Sequence, residues 1–142
     1  MFLLDVNVLI YAHRTDVDDH PKYRAWLEDL ASGDNAFGLA DLALSGFVRV
    51  ATHPKVWKKP SPLQKALAFV DELRAQPNAV VVAPGPRHWG IFVELCRNSG
   101  AKGNKVPDAY YAAIAIEHGC EWVTTDSGFG AFTGLRWRHP LR

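Results

Sequence analysis

The sequence predicts an α/β fold of three layers, a short central parallel sheet flanked by helices on both faces. Two observations carry that reading. Short apolar runs alternate with stretches of helical periodicity along the chain, and prolines and glycines stand where those helices should start and stop. A third sets the size: 142 residues, 48% apolar and 22% charged, describe one ordinary globular domain, expected to span residues 1–142.

Residues 2–4 are a short apolar run ending on Asp5, and residues 6–11 continue apolar at helical spacing, so a strand passes into a helix with Asp5 at the junction. Pro21 opens a second helix in which Tyr23, Trp26, Leu27 and Leu30 share a face, and Gly33 closes it. Residues 36–40 make a brief strand. Leu42, Leu44, Phe47, Val48 and Val50 then form a broad apolar helical face that stops at His53-Pro54. Ser61-Pro62-Leu63-Gln64 reads as a capping box, with serine as N-cap and proline at the first helical position, opening a helix that runs up to Pro77. Residues 80–82 are a run of valines expected as a buried strand, and Trp89, Phe92, Val93 and Leu95 mark a helix ended near Gly100. After a polar loop over residues 100–105, Pro107 starts a helix that lasts through Glu117 and is capped by Gly119; residues 122–124 are a further strand. Sheets of this class gather their ligands beyond the carboxyl ends of the strands.

Composition excludes several functions. A formal net charge of +1 argues against coating nucleic acid by bulk electrostatics and leaves room for a focal basic face. Cys96 and Cys120 form no CxxC pair, so neither a zinc site nor a disulfide framework is expected, and a reducing cytoplasm fits best. Asp5 interrupts the N-terminal apolar run at once, and no run approaches the ~18 residues of a membrane span, so an unprocessed soluble protein without membrane association is expected.

The acids carry the chemistry. Asp5 ends the first strand, Asp126 follows the strand over residues 122–124, and Asp108 lies in the first turn of the helix feeding that strand, so all three are expected at one edge of the sheet. Each alone is an ordinary cap or turn residue. Together they would repel: two carboxylates ~4 Å apart cost about 4 kcal/mol at an effective dielectric of 20. A divalent cation relieves that repulsion, and Mg2+ or Mn2+, which prefer hard oxygen ligands, are the expected cofactors.

Four stretches surround these acids: Leu4-Asp5-Val6-Asn7-Val8-Leu9, Val106-Pro107-Asp108-Ala109, Ala115-Ile116-Glu117-His118-Gly119 and Thr124-Thr125-Asp126-Ser127-Gly128-Phe129. In that order and at those spacings the sequence resembles, nearly end to end, the PIN domain of VapC toxins. Residues 47–54 (FVRVATHP) resemble a helix end of one branch, and Leu135-Arg136-Trp137 resembles the final strand. The resemblance implies a PIN-like αβα fold and a metal-dependent endoribonuclease, the toxin of a type II toxin–antitoxin system. Such a toxin hydrolyses RNA, transfer RNA or a ribosomal loop among its targets, to leave a 5′-phosphate and a 3′-hydroxyl, and arrests translation and growth. It also implies a homodimer silenced by a cognate VapB-type antitoxin. Asp5, Asp108 and Asp126 match the family's metal-binding acids. Two positions depart from the pattern: Ser45-Gly46 stands where many members carry a glutamate, and Gly128 where a further acid often follows. Asp41, at the start of the same helix as Ser45, is the nearest substitute and is as well read as a helix cap.

Further candidates stand around the acids. Asn7, in the helix after Asp5, is placed to orient Asp5 or hold a water of the metal, and Thr125 to offer a hydroxyl to the metal or the scissile phosphate; Thr124 is assigned to the strand. Arg97, Lys102 and Lys105 are candidate phosphate contacts, equally read as a solvated loop. Lys55 and Lys58, with His53, Lys59 and Trp57, make a basic and aromatic loop suited to unpaired bases or to an antitoxin, or to anchoring Trp57 in the core. Two other classes stay open. An acid ending the first strand also opens the haloacid dehalogenase motif of small-molecule phosphohydrolases, although Asn7 replaces its general acid, and the two departures are compatible with a PIN-like RNA-binding module without activity.

Overall fold

A computed structural model describes residues 1–142. Five strands, β1 (Phe2–Leu4), β2 (Phe37–Leu39), β3 (Ala79–Val81), β4 (Glu121–Val123) and β5 (Trp137–Arg138), form one sheet in the order β3-β2-β1-β4-β5. Every pairing is parallel. The helices are α1 (Val6–His13), α2 (His20–Ser32), α3 (Asp41–Ala51), α4 (Leu63–Arg74), α5 (His88–Ser99) and α6 (Lys105–Glu117), followed by a 3-10 turn over Ser127–Ala131. This is the predicted αβα arrangement.

Strand side chains alternate between the two faces, and the two cores follow from that alternation. Leu4 and Val123 join one core with residues of α1, α2, α3 and α4. Leu3 and Trp122 join the other with α5 and α6. Ala109, Ala112, Ala113 and Ala115 of α6 are fully buried, and these small side chains let α6 lie close to the sheet. Trp122 fills the space beside them, its ring 5.4 Å from Tyr111 and 5.5 Å from Phe129. In β2 a Cβ on Gly38 would come within 2.9 Å of Val82 Cγ2 and 3.1 Å of Leu3 Cδ1, so the missing side chain admits both neighbours.

Several local expectations are corrected. Val80 and Val81 are 41% and 51% exposed, because β3 is an edge strand; only Val82, hydrogen-bonded to Leu39 O at 2.9 Å, is buried. Ser61 does not cap α4. Pro62 holds the N-cap position with no side-chain bond, while Ser61 Oγ accepts from Arg14 Nη1 at 3.2 Å and lies 3.0 Å from His13 Nε2. A tertiary contact with the end of α1 has won over the local cap. Helix α6 begins at Lys105 rather than Pro107, since proline is tolerated within a first turn. Gly33 ends α2 in extended conformation, with φ −82°, whereas Gly100 and Gly119 take the left-handed conformation at the ends of α5 and α6. Trp89 points away from both cores and is 66% exposed. Cys96 and Cys120 are unpaired. No helix is long and apolar enough to cross a membrane.

Candidate active site

The strand order changes direction between β1 and β4, since β2 and β3 lie to one side of β1 and β4 and β5 to the other. Such a switch point opens a crevice at the carboxyl ends of the strands. Register decides what stands there. Leu4 pairs with Val123, and the Asp5 N–H continues the ladder to Val123 O at 3.0 Å, so Asp5 and Thr124 come next on adjacent strands.

The two side chains meet. Thr124 Oγ1 donates to Asp5 Oδ2 at 2.7 Å and accepts from the Asp126 N–H at 3.1 Å and from Asn7 Nδ2 at 3.2 Å. Asn7 also donates to Asp5 Oδ2 at 3.3 Å, and its Oδ1 accepts from the Thr125 N–H at 3.2 Å. Asp5 Oδ1 accepts from the Val6 N–H at 2.7 Å, capping α1. Asp126 in turn caps the 3-10 turn, its Oδ1 accepting from the Gly128 N–H at 2.8 Å. A Cβ at Gly128 would lie 2.9 Å from that oxygen, so a side chain there would press on the Asp126 carboxylate as it is held in this turn.

Asp108, in the first turn of α6, lines the same cleft as Asp5, Asn7 and Asp126, a space of about 570 Å³. None of the three acids is in an ion pair. Their electrostatics register the crowding. Burial pushes the Asp5 carboxyl up to about 6; its bonds from Thr124 and Val6 oppose this, and the charges of Asp108 and Asp126 add to it. Asp108 is raised by burial and by Asp126, with Lys105 pulling the other way. The Tyr111 phenol, also in the cleft, is raised by burial and by Asp5, against the opposing charge of Arg49.

A linkage follows for the metal-free protein. The folded Asp5 binds its proton more tightly than the unfolded chain does, so ionising it opposes folding. This penalty is full above pH about 6, on the order of 3 kcal/mol, and fades as pH falls toward about 4. Urea unfolding in chelator at pH 7 and pH 5 is expected to show Asp5→Asn gaining on the parent at the higher pH. Equal differences at both pH values would contradict it.

The other sequence candidates are distributed as follows. Thr125 lies beside the network through its amide, and the buried hydroxyl within it is that of Thr124, which the sequence assigns only to the β4 strand. Asp41 is the first residue of α3, not its cap, and is absent from the cleft lining; its Oδ1 accepts from Arg74 Nη1 at 2.9 Å on the surface. Lys105 stands at the start of α6 near Asp108, and Lys55 and Lys58 flank Val56 and Trp57, which line the cleft. Arg97 lies apart, in a shallow groove on α5 with Trp89 and Val93, and Lys102 is exposed on the preceding loop. Four polar cleft residues are absent from the candidates that the sequence suggests: Tyr11, Arg49, Asn104 and Tyr111. Tyr111 carries a signal, since it follows Asp108 by three residues and so shares its helix face. Arg49 carries none, for it reaches the cleft only through the packing of α3 on α1.

Comparison with known proteins places this geometry. Residues 2–135 match the PIN domain family. The chain is 47% identical over 141 residues to ribonuclease VapC43 of Mycobacterium tuberculosis, covering 99% of this chain and 96% of that protein. It is 40% identical over 140 residues to ribonuclease VapC25 of the same organism, covering 99% of both. Among solved structures it is similar to VapBC2 of Rickettsia felis bound to a promoter DNA fragment, with TM-score 0.69, 18% identity and 97% of each chain covered. It is also similar to M. tuberculosis VapC20, a sarcin–ricin loop cleaving toxin, with TM-score 0.67, 15% identity, and 96% of this chain and 99% of that one covered. The acids at the switch point, the αβα sheet order and the 47% identity over nearly the full length agree, and the chain belongs to the PIN-domain family of VapC ribonucleases.

Proposed function

We propose that this protein is a divalent-metal-dependent endoribonuclease, the toxin of a toxin–antitoxin pair, and that Asp5, Asp108 and Asp126 hold the metal. The observation that carries the reading is that three carboxylates without a cationic partner share one cleft at the switch point of the sheet.

The donor set fits a hard cation. Asp108 makes no hydrogen bond, Asp126 keeps Oδ2 free, and each Asp5 oxygen is held by a donor that fixes its direction. The three do not close into a tight cluster of metal-ligating side chains. That openness suits Mg2+, which keeps several waters and commonly takes only one or two carboxylates from the protein. When bound, such an ion supplies an activated water and neutralises charge on the leaving oxygen of a phosphodiester. The protein's part is orientation. Thr124 and Asn7 hold the Asp5 carboxylate from one side and the backbone of Thr125 and Asp126 from the other, so hydrogen bonds tie the end of β1 to the end of β4. A cognate antitoxin as partner is supported by structural neighbours that are VapBC complexes.

The test is to map new 5′ ends in RNA exposed to the purified protein with and without Mg2+, beside Asp5→Asn. Discrete cuts that need both the metal and Asp5 are expected; cuts that persist in chelator would overturn the metal requirement. Asp41→Asn serves as a contrast. It is expected to leave cleavage unchanged and to cost less than about 1 kcal/mol in thermal unfolding, because it breaks only an exposed ion pair.

A further inference from the structure

The cleft is acidic at one end and apolar at the other. Helix α1 joins the two: Asp5 caps its start, and Ile10 and Tyr11 line the cleft roughly 7 to 9 Å further along at 1.5 Å per residue. Beside them stand Val50 at the end of α3 and Val56 and Trp57 from the loop that follows.

Trp57 is held rigidly. Its Nε1–H donates to Val50 O at 2.9 Å, and the Arg14 guanidinium carbon lies 4.0 Å from its ring centroid. Arg14 is locked in its turn, donating to both carboxylate oxygens of Asp16 at 2.9 and 2.6 Å and to Lys59 O at 3.0 Å. The cation covers one ring face, and the half-buried ring packs in part against the core formed by α1 to α4 and borders the cleft with what remains exposed. Arg49 is the one basic side chain lining the cleft; it is exposed and engaged in no ion pair.

We propose that Trp57 and Arg49 form a nucleotide subsite, Trp57 stacking on an unpaired base next to the scissile phosphodiester and Arg49 receiving an adjacent phosphate. This rests on the ribonuclease reading. With the metal taken up by the three carboxylates and the scissile phosphate, a neighbouring phosphate of the strand still lacks a cation, and Arg49 supplies one without first breaking an ion pair. A pre-oriented indole loses little freedom when a base stacks on it, and stacking of this kind tolerates many bases while favouring unpaired ones. An RNA strand therefore matches the whole cleft: phosphate at the acids and Arg49, base at the apolar end.

The experiment measures binding of a single-stranded oligoribonucleotide by fluorescence anisotropy in Mg2+, with Asp5→Asn as the inactive background. Trp57→Leu is expected to weaken binding by about 10-fold, with Trp57→Phe recovering most of it. Arg49→Gln is expected to lower the slope of log affinity against log salt by about 0.7, the value for one phosphate that the protein no longer neutralises on a single strand. In the active protein, Trp57→Leu should raise KM more than it lowers kcat and shift the base preference beside the cut. Should both Trp57→Leu and Arg49→Gln bind and cut as the parent does while Asp5→Asn is dead, the subsite is overturned and the ribonuclease reading stands. If Asp5→Asn itself cuts like the parent, the ribonuclease reading has failed. Variants that lose only inhibition by the antitoxin would assign the surface to that protein and overturn the subsite. Where Trp57→Leu does not fold, Arg49→Gln, an exposed substitution, decides alone, and an unchanged salt slope overturns the proposal.

Discussion

Asp5→Asn is expected to reduce kcat/KM for RNA cleavage by on the order of 10³-fold or more while the protein stays folded. Removing one preorganised electrostatic interaction with a transition state costs roughly 10²- to 10³-fold, and removing a metal-ligating charge deletes that interaction and weakens the ion together. Asn keeps the size of Asp5 and an oxygen for the Val6 N–H, so the start of α1 survives. Asp108→Asn and Asp126→Asn are expected to behave alike in single-turnover assays. Asp108→Asn is the cleanest of the three, because its carboxylate makes no hydrogen bond whose loss would disturb the fold. Cleavage by the purified Asp108→Asn variant at the parent rate would remove that residue from the chemistry.

Thr124→Val is expected to lower activity by roughly 10- to 100-fold, the usual effect of losing the partner that orients a metal ligand. The substitution keeps shape and β-branching in a fully buried position but deletes the hydroxyl. Asp5 Oδ2 then loses its shortest bond, and the Asp126 N–H and Asn7 lose an acceptor. Leaving buried polar groups unpaired costs about 1 to 3 kcal/mol, so chemical denaturation should show a matching loss. Thr124→Ser, which restores the hydroxyl, should recover both properties. If Thr124→Val cleaves normally at saturating Mg2+, the network does not position Asp5.

The contrast between Thr124 and Thr125 shows what the sequence makes legible. A carboxylate between an apolar run and a helical stretch marks a strand end, so Asp5 and Asp126 are recognisable, and proline followed by an alanine-rich helix marks Asp108. Which of two adjacent threonines faces Asp5 depends instead on register between β1 and β4, and a slip of one residue exchanges the faces of a strand. The helices are legible for the same reason as the strands, from periodicity and stop signals. Ser61, Val81 and Trp89 are not, because their fates are decided by elements distant in sequence: the end of α1, the position of β3 at the sheet edge, and the lack of any element over that side of α5. Asp41 belongs with them. Its helix position is visible, but Arg74, which it pairs with on the surface, lies 33 residues away on α4.

The most direct measurement is the anomalous diffraction of crystals soaked in MnCl2. A manganese peak in the cleft, with oxygens of Asp5, Asp108 or Asp126 among its ligands and the remaining positions filled by water, is the expected result. A cleft free of manganese at millimolar concentration, or a peak bound only by residues elsewhere on the surface, would contradict the assignment of these acids as the metal site.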